Sequence, residues 1–247
     1  MLAFAGDTAY AYPLILQTLH YVTDFDRASN RSLCLEDLKG HLERVIEQML
    51  RNVREVPAGV EIDFSLLLAG FSTDTGRWRT WVSRFDQNSR RFTFASPAKS
   101  FRGAVFVGDA GPAAYSDLKA LERTRGTALR TRPPPLDWEP LDVIRDSIES
   151  GRHHSVGGAI QMVKVYRHVN VMPYAVYSPS RATGALTVFG RRLLDYERTH
   201  YLAFDPLTHK TYKTRDFLSE PVEWPIPESR RSTTRRNSQP ATKGSAR

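Results

Sequence analysis

The chain has 247 residues, 40% apolar and 25% charged, the make-up of an ordinary globular protein long enough for one large domain or two small ones. No apolar run approaches the ~20 residues of a membrane helix, and no basic stretch precedes a long apolar core as in a secretory signal. A single cysteine, Cys34, excludes an intrachain disulfide and fits a reducing, cytoplasmic setting. The net charge of +8 sits mainly in the tail: from Ser229 onward six basic residues stand without an acid, leaving 29 of the 35 basic residues against 27 acidic ones. A near-neutral remainder argues against a folded nucleic-acid-binding domain, which would concentrate its basic residues on structured elements.

Leu2 to Ala5 is a continuous apolar run, as expected of a strand covered on both faces. Asp7 is placed to cap a following helix, with Pro13 either bending that helix or marking its start. A second helix has Ser32 as its expected cap. Leu35, Leu38, Leu42, Val45, Ile46 and Met49 recur there at three- and four-residue steps, opposite Lys39, Glu43, Glu47 and Arg51. "IDFSLLLAGF" then reads as a buried strand, "TDTG" as a hairpin turn and "RWRTWVSRF" as its alternating partner. "RRFTFAS" and "AVFVG" are expected as third and fourth strands. Asp109 is expected to cap a helix carrying Pro112 in its first turn.

"RGTALRTRPPPLDWEP" reads as a surface linker because three consecutive prolines sustain neither helix nor sheet. "LDVIRDSIES" is a short helix, and "IQMVKVYRHV", "MPYAVYS", "ALTVFG" and "HYLAF" are strands. Beyond Pro221 the composition turns to Pro, Ser, Thr and Arg, the signature of a disordered end. Hairpins outnumber β-α-β alternation, which favours packed antiparallel sheets with helices outside.

"LAFAGDTAYAYPLILQTL" resembles the strand-to-helix passage of proteasome β-type and HslV-like subunits, where an apolar strand ends in Gly-rich residues before a long helix. "LLLAGF", "TGRWRTWVSRFD" and "AVFVGDAGPAAYSDL" resemble later passages of that family in the same order, over Leu2 to Arg123. The resemblance implies an N-terminal-nucleophile (Ntn) hydrolase fold: an α+β, four-layer αββα sandwich of two mainly antiparallel sheets. It also implies a threonine-type peptidase mechanism, in which a Thr, Ser or Cys exposed as first residue attacks an amide carbonyl and its α-amino group moves the proton. A backbone N–H at the strand-to-helix turn stabilises the oxyanion, and Gly6 falls at that position. Gly108 and Asp109 fall at the second turn beside the site.

The departures are as specific as the matches. Removal of Met1 exposes Leu2, so the nucleophile strand that precedes this turn in the family is expected to be absent. Tyr10 stands where the family has Asp, and Asp109 where it has Ser. Cleavage at Gly126-Thr127 would expose a Thr, but "TALRTRPPP" cannot supply the strand it needs. The expectation is therefore a chain without catalytic residues of its own, either N-terminally incomplete or a non-catalytic member.

Plainer readings stand beside these. The two Gly-Asp pairs serve equally as strand ends with helix caps. His153-His154 lacks further ligands at metal spacing. His20, His41, His168, His200 and His209 are scattered, and Gly157-Gly158 lacks the rest of a phosphate-loop pattern. Cys34 stands two residues past Ser32, where a thiolate could be stabilised, although a half-buried structural thiol is the commoner case.

Residues 1–222 are thus expected as one Ntn-like domain and 223–247 as a basic tail. No cofactor or metal is expected. Assembly with further copies or related subunits, a peptide or amide substrate if active, and nonspecific polyanion contact through the tail are. A non-enzymatic scaffold or binding subunit is the alternative.

Overall fold

Along Phe64–Ser72 every second residue is buried, and this alternation organises the N-terminal half of the fold. The computed structural model describes residues 1–30, 33–52, 63–86, 91–126, 134–167 and 171–214. In chain order it begins with β1 (Leu2–Gly6), α1 (Thr8–Asp24), the single turn α2 (Asp26–Ser29) and α3 (Leu35–Asn52). β2 (Phe64–Ser72), β3 (Arg77–Asp86) and β4 (Arg91–Ala95) follow, then α4 (Gly111–Thr124) and α5 (Glu139–Ser150).

β1 to β4 form one antiparallel sheet in sequence order. Leu2 pairs with Leu68 and Phe4 with Leu66, while Leu68 faces Trp81 and Ser83 faces Phe94. These side chains therefore share one face, and α1 and α3 cover it. Ala11 and Leu14 of α1 and Leu42 and Ile46 of α3 pack on Phe64, Leu66 and Phe92. Each such side chain, once buried, contributes roughly 1.5–3 kcal/mol.

Asp7 accepts the Ala9 N–H at 2.8 Å, the expected cap. Pro13 lies inside α1, so the helix starts at Thr8 and not at the proline. The expected cap of α3, Ser32, lies outside the described residues; within them Cys34 takes the role, its Sγ accepting the Asp37 N–H at 3.2 Å.

Two sequence expectations need correction here. "AVFVG" is not a strand: only an isolated bridge joins Phe101 to Ala104, and the Phe106 N–H goes to the Tyr115 hydroxyl at 3.0 Å instead of to a neighbouring strand. Asp109 does not cap α4. The helix begins two residues later behind Ala110, with no side-chain cap, and the Gly111 N–H turns back to the Gly108 carbonyl at 3.0 Å.

The C-terminal half carries a five-stranded sheet and a separate hairpin. The hairpin pairs β5 (Val163–Val165) with β6 (Val171–Pro173). The sheet comprises β7 (Ala175–Ser178), β8 (Ala185–Val188), β9 (Arg191–Arg192), β10 (Ala203–Asp205) and β11 (Lys210–Tyr212), in the order β11-β10-β7-β8-β9. Only β10 on β7 is parallel among the described pairs. "MPYAVYS" was one expected strand but divides at Tyr174. The Tyr174 N–H bonds to the Met162 carbonyl and the Ala175 N–H to that of Leu202, so the chain changes partners within one residue.

Trp138 and Leu141, at and in α5, pack with Phe204 and Val176 to make a second core. Asp142, buried on α5, accepts from Arg125 and Arg145 at 3.0 Å and stands 2.9 Å from His209 Nε2, tying α4, α5 and the β10–β11 turn together. The whole is α+β with predominantly antiparallel sheets. The linker core 127–133, His168 and the chain from 215, including the domain boundary at 222, lie outside the described residues.

Candidate functional site

The ladder between β1 and β2 fixes which backbone groups β1 leaves unspent. Ala69 exchanges hydrogen bonds with Met1 at 2.9 and 3.0 Å, and the Asp7 N–H reaches the Asp63 carbonyl at 2.8 Å. In an antiparallel pair the bonded residues alternate. Residues 1, 3, 5 and 7 therefore face β2, and the N–H and C=O groups of Leu2, Phe4 and Gly6 point to the other side. There β1 is the edge of the sheet among the described residues. Its side chains are half-buried: Leu2 and Phe4 border the helix-covered core, and Ala3 and Ala5 face away from it. The opposite edge is protected, since Glu43 of α3 accepts the Phe94 N–H of β4 at 2.8 Å.

Gly6 closes β1 with φ of 105°, and a methyl group there would lie 2.4 Å from the Asp63 carbonyl oxygen. Only glycine fits, because both the torsion and the approach of the backbone exclude a side chain. Gly108, with φ of 94°, makes the second tight turn.

Both turns border one cavity of about 740 Å³. Its floor is the face of the first sheet turned away from the helices: Ala5 pairs with Ser65, and Val82 with Ala95, so their side chains point the same way. Its roof is the segment from Ser96 to Pro112, braced by Tyr115. The Tyr115 hydroxyl donates to the Lys99 carbonyl at 2.5 Å while accepting from Phe106. Arg102 on the same segment pairs with buried Glu122 of α4.

The structure thus brings together Gly6, Gly108 and Asp109, three positions singled out in sequence. It does not bring the described histidines there. His20 is exposed on α1, His41 stacks on Tyr21, His153 and His154 lie in a loop, His200 neighbours Tyr201 and His209 meets Asp142. Tyr10 lies in α1 and the side chain is outside the described set; Thr127 is likewise outside it. Gly157-Gly158 is an exposed loop.

Sequence reading missed Ser65, Thr93, Ser96, Lys99 and Tyr115 as cavity residues. The period-two pattern of β2 to β4 carried that signal, since it assigns the second face of the sheet. No histidine or cysteine is in the described lining, so the hydroxyls of Ser65, Thr93 and Ser96 have no imidazole or thiolate partner there. What the arrangement offers is hydrogen bonding: an outward Gly6 N–H and C=O beside the N-termini of α1 and α4, whose partial positive charge favours a carbonyl or anionic oxygen.

Cys34, Glu36 and Asp74 each bring one ligand-type atom within 4.8 Å of the others. Burial foremost, and then the neighbouring carboxylates, push the Cys34 thiol up, which favours its protonated form and its capping role over a thiolate. No helix among the described residues is long and apolar enough to cross a membrane.

No protein-family model matches the chain, and no curated protein matches it.

Proposed function

We propose that this chain is a proteasome-like or HslV-like member of the Ntn-hydrolase fold that binds an extended peptide or amide along β1 without hydrolysing it. One observation carries the reading. The Gly6 turn and the Gly108–Asp109 turn, about a hundred residues apart, border the same cavity at the open edge of the first sheet. An extended peptide pairing with β1 would take the outward groups of Leu2, Phe4 and Gly6, with Gly6 N–H donating to a carbonyl at the cavity mouth. In the αββα arrangement a second sheet would lie over the face bearing Ala5, Ser65 and Val82; the cavity roof from Ser96 to Pro112 already crosses one end of it.

The reading of binding without turnover rests on how the described lining is paired: Lys99, Asp63 and Asp109 are there, but none is hydrogen-bonded to the hydroxyl of Ser65, Thr93 or Ser96. The family reading also brings assembly with copies or related subunits. The acid-free tail from Ser229 would attract polyanions in a salt-dependent manner. The alternative, a non-enzymatic scaffold, shares the absence of turnover and differs in needing no peptide at β1.

The test uses the full chain with fluorogenic peptide amides and a peptide aldehyde. The reading expects no turnover, no stable covalent adduct on any Ser or Thr, and aldehyde-dependent shifts of the Gly6 amide in NMR spectra. Ala95→Trp, which fills an exposed floor position, should abolish those shifts. Stoichiometric labelling of a hydroxyl, or peptide shifts unchanged in Ala95→Trp, would overturn it.

A further inference from the structure

Helix α1 has two apolar sides. Ala11, Leu14 and Thr18 face the core at 0, 4 and 7% exposure. On the outer side Ala9, Tyr12, Leu16, Leu19 and Thr23 are all exposed, with Tyr12 at 57%, Leu16 at 39% and Leu19 at 56%. Their spacing alternates three and four residues, the a/d rhythm of a helix–helix seam. No Asp, Glu, Lys or Arg occurs from Thr8 to Thr23. Helices facing water normally carry charge on the outer side, and this protein does so elsewhere: α3 sets Glu47 and Arg51 in an outward ion pair at 2.7 Å. Three large apolar side chains along one uncharged helix make a patch of the size that marks an interface.

We propose that this seam is a self-association surface, pairing antiparallel with the same seam of a second copy about a two-fold axis at Leu16. The chemistry narrows the partner. A polyanion, a charged peptide or a lipid headgroup would meet no charge, and membrane-surface helices carry Lys and Arg on their polar side. An uncharged helix of matching rhythm is what fits. The seam is also balanced about Leu16. Ala9 and Thr23 stand seven residues to either side, so each small residue meets a small one. Tyr12 stands opposite Leu19 of the partner subunit, and the Leu16 side chains meet on the axis. Such a contact is isologous and closes on itself. Antiparallel alignment also opposes the two helix dipoles. Two faces of this length bury on the order of 1,000 Å², the low end for a specific interface, so the dimer should be concentration-dependent. This inference is independent of the hydrolase kinship.

Sedimentation velocity of the full chain from about 1 to 100 μM should show a monomer–dimer equilibrium, a range set by that modest area. Leu16→Glu should weaken it at least tenfold while leaving the circular dichroism unchanged, since Leu16 is exposed. Oxidative cross-linking in a Cys34→Ser background, where Ser preserves the α3 cap, reports the geometry even if a variant is less stable. Leu16→Cys should cross-link to itself. Ala9→Cys and Thr23→Cys should cross-link efficiently only when mixed. A monomer at the highest concentration, a dimer indifferent to Leu16→Glu, or mixed cross-linking no faster than with an exposed Ser116→Cys control would each overturn the proposal.

Discussion

Gly108 packs directly on Ala5: a methyl group placed on Gly108 would come 3.1 Å from the Ala5 Cβ. The turns leading into α1 and α4 are thereby held together through two of their smallest residues. Gly6→Ala should cost about 2–3 kcal/mol, since both its torsion and a backbone oxygen oppose the methyl group. Gly108→Ala meets only a side chain and should cost roughly 1–2 kcal/mol, mostly torsional. Urea denaturation measures both, and a Gly6→Ala protein within experimental error of wild type would contradict the tight turn.

The roof has its own anchor in the pair between Arg102 and Glu122, whose carboxylate side chain is 2% exposed. Arg102→Met should destabilise by roughly 1.5–3 kcal/mol, because it removes a charged hydrogen-bond donor from a buried carboxylate. Glu122→Gln added to it should restore much of the loss, since a neutral pair no longer requires the guanidinium. If the double variant is as unstable as the sum of the singles, the two groups do not compensate one another.

Much of this fold was legible because burial repeats with a fixed period. The three- and four-residue steps of α3 and the alternation of β2 and β4 follow from one-sided burial, and the structure keeps them, whereas β3 is exposed at Arg77, Trp78 and Arg79 in succession. What escaped sequence reading depends on partners distant in the chain. The apolar run "AVFVG" has strand composition, yet Tyr115 supplies the bond that strand pairing would have supplied. Tyr174 marks a change of sheet partner that no local pattern records. Cys34, a weak hydrogen-bond acceptor, occupies a position where Ser, Thr, Asp or Asn is the usual signal. At the site, Gly6 and Gly108 stood out through their Gly-Asp contexts, whereas Lys99 and Tyr115 entered only through the path of the roof.

On the second sheet, Arg191 holds Glu197 through both guanidinium nitrogens at 2.7 and 2.8 Å, and the Leu194 N–H adds a third bond. Arg191 first, and then that N–H, hold the carboxyl down to about 2 from its ordinary value near 4.5. The folded value lies below the unfolded one, so this stabilisation is fully present above pH ~4.5 and is lost as pH falls towards 2. An NMR titration of the Glu197 carboxyl should show the low midpoint, and Arg191→Gln should move it upward. A wild-type midpoint near 4.5 would contradict the bidentate contact in solution.

His41 gives the opposite end of the acid range a measurable handle. Its ring stacks on Tyr21 with centroids 3.5 Å apart and bridges α3 to α1, and the Nε2 atom is buried. Burial, and secondarily the charge of Arg44, holds the imidazole below its ordinary value of 6.5. The unfolded chain therefore takes up a proton at this residue before the folded chain does. Stability contributed by neutral His41 is present above pH ~6.5 and declines as pH falls below it. His41→Phe keeps a ring in the stack and removes the titration. Thermal denaturation from pH 7.5 to 5 should show a shallower fall in Tm for His41→Phe than for wild type, the two curves converging or crossing towards acid. Parallel curves over that range would mean that His41 protonates as readily in the folded protein as in the unfolded chain, and that its buried stack is not maintained in solution.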